Sequence, residues 1–100
     1  MIIVSQDRDR IVNINNITQI YVTEDEERTA YFIRVETTCE TYEDLGKYYT
    51  ESRVREVLQE IIRCYAATEE LKCVVNINGC LDAKDINKLA ENSFIYEMKK

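Results

Sequence analysis

The sequence predicts an α+β domain in which an antiparallel β-meander is covered by one amphipathic helix. The first half alternates short runs rich in Ile, Val, Tyr and Thr with polar clusters, which is typical of strands and turns. After Thr50 the apolar residues recur with the period of an α-helix. No Pro-rich or Gly-rich linker, low-complexity tract or repeat divides the 100 residues, so we interpret 1–100 as a single domain. It comprises a meander over 1–49, a main helix over 50–66 and a strand-helix-strand extension over 67–100.

Five short strands are predicted in the first half. The clusters between them are rich in Asn and Asp, residues that tolerate left-handed backbone and hydrogen-bond their own chain. Because strands joined by short turns usually pair with their neighbours, we expect an antiparallel meander. The predicted strands cover 2–5, 10–14, 17–23, 29–37 and 40–45, with turns over 6–9, 15–16 and 24–28.

The fourth predicted strand alternates in character. Tyr31, Ile33 and Val35 share one face of it, so the sheet should have one side in the core and one side largely in water. The wet side of this strand carries Phe32, Arg34 and Glu36.

An amphipathic helix is predicted after Thr50. Apolar residues occur there at offsets of 0, 3, 4, 7, 8 and 11, which places them on one stripe. Thr50 is a natural N-cap, and Glu51 adds favourable charge to the first turn and can pair with Arg55 four residues on. The stripe needs an apolar surface to cover, which the sheet supplies. Its members are Val54, Val57, Leu58, Ile61, Ile62 and Tyr65.

The last thirty residues predict a variable extension. The β-branched run over Leu71–Ile77 favours a strand that ends at the turn signal Asn78-Gly79. A short second helix follows, with Asp82 as its N-cap, and a terminal strand is predicted over 94–98.

Composition and charge exclude several classes of function. With 19 acidic and 13 basic residues the net charge is -6, which disfavours direct nucleic-acid binding. The chain has no histidine and only two glycines, which excludes histidine-dependent triads, histidine metal sites and Gly-rich phosphate loops. No apolar run approaches the roughly 20 residues of a membrane span, and 1–4 is too short for a signal-peptide core, so we expect a cytoplasmic protein without membrane contact.

The thiols and carboxylates give no strong catalytic pattern. In a reducing compartment we expect free, mostly buried thiols, although a Cys73–Cys80 disulfide or metal site, or a reactive thiol, is an alternative. The carboxylate pairs Asp7/Asp9 and Glu43/Asp44 could hold magnesium or act as acid and base, but turns and strand edges favour solvated acids. We therefore predict no enzyme, no cofactor and no metal. The four cysteines are Cys39, Cys64, Cys73 and Cys80.

Two features suggest a binding surface. Four acids in a row could present a negative knob to a basic partner, or could form a solvated hairpin tip. Three tyrosines at the corner between sheet and helix could form an interface, because Tyr supplies rigid contact area with a polar tip, or could pack against the helix. The candidate residues are Glu24, Asp25, Glu26, Glu27, Tyr42, Tyr48 and Tyr49.

Several segments resemble a group of small proteins from phages and prophages of Gram-positive bacteria that are predicted to have a pleckstrin-homology-like fold. The resemblance covers roughly 1–66 and the last few residues, and it implies a strongly bent sheet or partial barrel closed by the main helix. It supplies no functional residues. The segments are Ile3-Val4-Ser5-Gln6-Asp7, Ile11-Val12-Asn13 with Asn16-Ile17, Leu45-Gly46-Lys47-Tyr48, Arg55-Glu56-Val57-Leu58-Gln59-Glu60-Ile61-Ile62 and Phe94-Ile95-Tyr96-Glu97-Met98.

Three functions are compatible with these observations. The predicted one is a non-enzymatic protein-interaction module, phage- or prophage-encoded as the resemblance implies, which inhibits or adapts a host protein such as a defence complex. The second is a binder or sponge for a small anionic ligand, with cationic contacts from Arg34, Lys47 and Arg53. The third is a homo-oligomeric structural component joined through edge strands such as 1–5 or 94–98.

Overall fold

In the computed structural model, which describes residues 1–76 and 94–100, six strands form two three-stranded sheets and one long α-helix packs against both. The α+β class is thereby confirmed, and the strands of this part do not close into a barrel. None of the described helices is long and apolar enough to cross a membrane. The elements are β1 (Ile2–Val4), β2 (Ile11–Asn13), a 3-10 helix (Ile14–Asn16), β3 (Ile17–Glu24), β4 (Tyr31–Thr37), β5 (Tyr42–Tyr48), α1 (Glu51–Asn76) and β6 (Ile95–Glu97).

The predicted single meander is divided into two sheets. The first sheet has the order β2-β1-β6, with β1 antiparallel to β2 and parallel to β6, so that the terminal strand lies beside the first one. The second sheet, β3-β4-β5, is an antiparallel meander. The break falls where the Asn13 side chain accepts a hydrogen bond from the Asn15 amide (3.0 Å), which starts the 3-10 helix and redirects the chain before β3.

The tight turns contain residues with left-handed backbone and are stabilised by acidic side chains. Arg8 and Arg28 have φ of 62° and 56° within the predicted turns over 6–9 and 24–28. In the second of these turns the Asp25 carboxylate accepts hydrogen bonds from the Thr29 amide (2.7 Å) and hydroxyl (2.6 Å). This side chain therefore fixes the hairpin between β3 and β4.

A β-bulge in β5 sets the direction of its side chains. Ile33 of β4 pairs with Gly46 and Arg34 pairs with Asp44, so Leu45 is the extra residue. Gly46 lies in close packing, and a Cβ there would have to displace the ends of the Met98 and Tyr48 side chains, each 2.9 Å away. The strand predicted over 40–45 is thus displaced to Tyr42–Tyr48.

The start of α1 is as predicted. The Arg53 amide donates to the Thr50 hydroxyl (3.2 Å), and Arg55 forms an ion pair with Glu51 (3.1 Å). The end of α1 differs from the prediction, because the helix continues to Asn76, ten residues past the predicted limit. The strand predicted from Leu71 is therefore wrong for 71–76. The helical repeat continues through this segment, which contains neither Gly nor Pro, and the β-branched residues cost a helix little.

The buried row of α1 also differs from the predicted stripe. Ile62 and Tyr65 are 49% and 44% exposed, so these two residues of the stripe lie beside the core rather than in it. The buried residues are spaced alternately three and four apart, as in a narrow helix-packing seam. They are Val54, Val57, Ile61, Cys64, Thr68 and Leu71.

Thr68 joins the helix to the terminal strand. Its fully buried hydroxyl donates to the Cys64 carbonyl (2.9 Å) and accepts a hydrogen bond from the Phe94 amide (2.7 Å). The Phe94 carbonyl in turn accepts from the Ile2 amide (2.7 Å). Phe94, with φ of 68°, is thus held from both sides where β6 begins, and the terminal strand predicted over 94–98 is confirmed. The predicted second helix from Asp82, the Asn78-Gly79 turn, the Cys73 side chain and Cys80 lie outside the described residues.

Candidate functional site

The second sheet has an outer face that points away from α1. Ile33 and Val35 of β4 are buried against the helix, so the residues that alternate with them project to the opposite side. The strand register places the neighbours of these residues on β3 and β5 on the same side. The outer face comprises Gln19, Tyr21, Thr23, Phe32, Arg34, Glu36, Tyr42, Asp44, Lys47 and Tyr49.

Arg34 is the centre of this face. Its guanidinium makes a two-point contact with Asp44, from Nε to Oδ1 (2.7 Å) and from Nη2 to Oδ2 (3.3 Å). It also lies over the Tyr42 ring, 4.2 Å from the centroid, while Tyr42 remains 60% exposed. The contact with Asp44 raises the pKa of Arg34 above its ordinary value. The arginine and the tyrosine are therefore held in one arrangement before any partner binds.

A second polar group lies next to Arg34. The Tyr21 hydroxyl (2.9 Å) and the Gln19 amide both donate to the Glu36 carboxylate. These hydrogen bonds lower the pKa of Glu36, and partial burial followed by the contact with Glu36 raises the pKa of Tyr21. Glu36 is accordingly a fixed carboxylate near neutral pH.

Lys47 organises the other end of the outer face. Its ammonium lies 5.9 Å from the centroid of the Phe32 ring and 5.5 Å from that of Tyr49, which is 74% exposed. The main-chain groups of Lys47 are held by Gln6, whose side-chain oxygen accepts from the Lys47 amide (2.9 Å). An exposed aromatic ring beside a cation thus occurs at both ends of the face.

The four acids do not form one knob. Asp25 is half-buried and committed to the turn, and the hydrogen bonds from Thr29 lower the pKa of its carboxyl. Glu24 ends β3 and lies 3.7 Å from Arg28. Only Glu26 and Glu27 are exposed without a hydrogen bond or ion pair to a described residue. The tip joins the ends of β3 and β4 at which Thr23 and Phe32 of the outer face pair with each other.

The three tyrosines are not brought together. Tyr48 is 2% exposed and donates its hydroxyl to the Lys99 carbonyl, and burial raises its pKa to about 12. Tyr42 begins β5 and Tyr49 directly follows its end, so the two lie far apart along the outer face. The bulge at Leu45 shifts the alternation by one residue, so Tyr42 and Tyr48, although six residues apart, point to opposite sides. The expected cluster is therefore corrected to two exposed tyrosines, and the packing alternative applies to Tyr48.

The predicted anion contacts are also separated. Arg34 is already paired with Asp44. Arg53, on α1, donates to the Lys100 carbonyl through Nε (3.1 Å) and Nη2 (2.9 Å). Only Lys47 of the three predicted cations has no carboxylate or carbonyl partner among the described side-chain contacts. The three do not converge on one cavity.

The two predicted carboxylate pairs are arranged differently. Asp44 faces Arg34 on the outer face, whereas Glu43 pairs with Arg10 (3.5 Å). Asp7 accepts from the Ser5 hydroxyl (2.7 Å), and the hydrogen bond shared with Asp9 lowers the pKa of Asp7 to about 2 and raises that of Asp9. Both residues are exposed in a turn. Within residues 1–72 and 94–100, no three metal-ligating side chains gather at a point.

The described thiols are free and different in exposure. Cys39 is exposed in the turn between β4 and β5, and Cys64 is buried in the seam of α1, where burial raises its pKa. A raised pKa disfavours the reactive thiolate at Cys64.

Comparison with protein-family models, with curated proteins and with solved structures found no match to this sequence.

Proposed function

We propose that this chain is a non-enzymatic protein-binding protein that contacts its partner through the outer face of the second sheet. The observation that carries the proposal is the pair of exposed tyrosines, each placed beside a cation: Tyr42 under Arg34, and Tyr49 beside Lys47. Tyrosine and arginine are the residues most enriched where protein interfaces gain their energy. The tyrosine and arginine side chains of this face are already ordered on a rigid sheet, so they lose less conformational entropy when the partner binds.

The charges of the face favour a protein partner over a small anion. Arg34 is neutralised by Asp44, Glu36 adds a fixed negative charge, and Glu26 and Glu27 extend from the adjacent tip. A partner with an apolar patch bordered by basic residues complements this arrangement. For a phage- or prophage-encoded chain, which the sequence resemblance implies, that partner is a cytoplasmic host protein that the chain inhibits or adapts.

Affinity capture with paired variants tests the proposal. The tagged full chain is incubated with lysate of a Gram-positive host, alongside a Tyr42→Ser/Tyr49→Ser variant and a Glu26→Ser/Glu27→Ser variant. Ile11→Ser is the matched control, because Ile11 is a 69% exposed apolar residue on the first sheet. We expect one stoichiometric protein to be retained by the wild type and the control, to be lost with the tyrosine variant and to be weakened by the acidic variant.

Titration of the purified partner completes the test. Loss of two central aromatic contacts should raise the Kd at least about tenfold, since each costs more than about 1 kcal/mol at an interface hot spot. If the partner binds the tyrosine variant as tightly as the wild type but fails to bind Ile11→Ser, the proposal is wrong and the binding surface lies on the first sheet.

A further inference from the structure

The outward edge of β3 is long and, over Ile17–Thr23, uncharged. Within residues 1–76 and 94–100, β3 pairs with β4 on one side only, and it is the longest strand of this part, with eight residues. Seven of them, Ile17–Thr23, include no charge, no Pro and no Gly and are rich in β-branched and aromatic residues. A strand edge of this kind is a template for pairing with another strand.

The opposite edge of the same sheet is protected. Gln6 covers the β5 edge: its amide donates to the Leu45 carbonyl (2.8 Å), and its side chain both accepts from and donates to the main chain of Lys47 (2.9 and 3.2 Å). The bulge at Leu45 and three charged residues interrupt this strand further. Covered edges, bulges and charged residues are the features that usually prevent pairing at a strand edge. Of these, the run Ile17–Thr23 of β3 has only a bulge, at Thr18.

An apolar groove of about 340 Å³ runs between β3 and α1. Ile62 and Tyr65 form its helix side and remain about half exposed. All nine lining residues are uncharged, in a chain of which 32% is charged. They are Ile14, Asn15, Ile17, Thr18, Gln19, Ile20, Ile61, Ile62 and Tyr65.

We propose that a second copy of this chain pairs with the β3 edge, antiparallel and about a two-fold axis, and covers the groove. A chain with a net charge of -6 repels its copy over most orientations, whereas this uncharged patch meets itself without opposing like charges. A register centred on Ile20 sets Gln19 opposite Tyr21 of the second copy. Glu24, the one acidic residue of β3, then lies at the end of the strand, outside the uncharged run Ile17–Thr23.

This association differs from the edges that the sequence favoured. The predicted edge over 1–5 is wrong, because β1 is the central strand of the first sheet, and the predicted edge over 94–98 contains only the three-residue strand β6. Pairing through β3 extends each second sheet into one of six strands, with both outer faces on the same side. Gln19, Tyr21 and Thr23 belong to both surfaces, but Tyr42 and Tyr49, which carry the proposed function, lie neither in β3 nor in the groove, so the two proposals are tested separately.

Sedimentation equilibrium of the full chain under reducing conditions, over about 1–100 μM, tests the dimer. The variants are Ile62→Lys and Thr18→Lys, each of which puts two like charges into the interface. The matched control is Ile11→Lys, on the edge of the first sheet and 69% exposed. We expect the wild type and the control to dimerise with the same Kd, and each interface variant to raise that Kd at least about tenfold.

Two outcomes would overturn the inference. One is a wild-type chain that stays monomeric up to about 100 μM. The other is a dimer that tolerates both interface variants, above all if Ile11→Lys dissociates it. Circular dichroism of each variant establishes that it is folded, and Thr18→Lys, at an exposed position, provides the test if Ile62→Lys unfolds. Failure of the dimer would leave the capture experiment with the tyrosine variant unaffected.

Discussion

The two faces of the second sheet hold their side chains by different forces. On the inner face Ile33, Val35 and Leu45 are at most 1% exposed and are fixed by packing against α1. On the outer face Arg34 and Lys47 are fixed by a carboxylate and by aromatic rings, in partial contact with water. Burial stabilises in proportion to apolar area, whereas an exposed ion pair contributes about 0–1 kcal/mol. The inner face should therefore determine stability, and the outer face should be free to determine binding.

The largest effect is expected for a change on the inner face. Ile33→Ala removes a fully buried side chain from the centre of the core and should lower the free energy of unfolding by about 2–5 kcal/mol. Ile11→Ala is the matched control: Ile11 is 69% exposed, so the same chemical change should cost less than about 0.5 kcal/mol. Urea denaturation followed by circular dichroism measures both values. Equal losses would contradict the division between the faces.

An intermediate effect on stability is expected at high pH, from the ionisation of Tyr48 on the inner face. Burial raises the pKa of Tyr48 from 10.0 to about 12, so the folded protein holds this proton more tightly than the unfolded chain. Tyr48 therefore contributes stability that is complete below pH 10 and is lost as the pH rises through about 12. The unfolding midpoint in urea should fall between pH 9 and 11.5.

Tyr48→Phe separates the ionisation from the packing. The variant keeps the ring but loses the hydroxyl that donates to the Lys99 carbonyl, so it should be about 0.5–1.5 kcal/mol less stable at pH 8. Its stability should then depend less steeply on pH above 10. The slope will not vanish, because burial, together with the hydrogen bond to Glu60, also raises the pKa of Tyr96. A slope as steep as that of the wild type would refute the assignment to Tyr48.

The sequence predicted the local features of the fold and missed those that depend on distant contacts. The N-cap at Thr50 and the turn containing Asp25 follow from residues within four positions of each other, and both are confirmed. The parallel pairing of Ile3 with Tyr96 joins the ends of the chain, and no local pattern encodes it. At the end of α1 a β-branched run favoured a strand, but the helix continues to Asn76, and its buried residues keep the three-and-four spacing as far as Leu71.

The candidate site was predicted only in part, because it also depends on contacts between residues that are distant in sequence. The alternation in β4 correctly assigned Arg34 to a wet face, but nothing in the sequence gives its pairing with Asp44, which depends on the register of β5. The bulge at Leu45 changes that register. A strict alternation puts Tyr42 and Tyr48 on one side, and a single inserted residue separates them.

The smallest effect on stability is expected on the outer face, at Arg34. Arg34→Lys keeps the charge but loses the two-point contact with Asp44 and the planar group over Tyr42. Because both members of the pair are partly exposed, the free energy of unfolding should change by less than about 1 kcal/mol. Chemical denaturation of the variant, with the wild type as reference, measures this change.

The same variant should change binding much more than stability. Without the planar guanidinium, the exposed Tyr42 ring is no longer held in one orientation. The ring must then become ordered when the proposed partner binds, which should raise the Kd several-fold or more. Glu51→Gln is the control, since it removes a more exposed surface ion pair, with Arg55, on the helix and away from the outer face. If Arg34→Lys and Glu51→Gln leave the affinity equally unchanged, pre-organisation of the outer face contributes nothing to recognition, and the two faces differ only in their exposure to water.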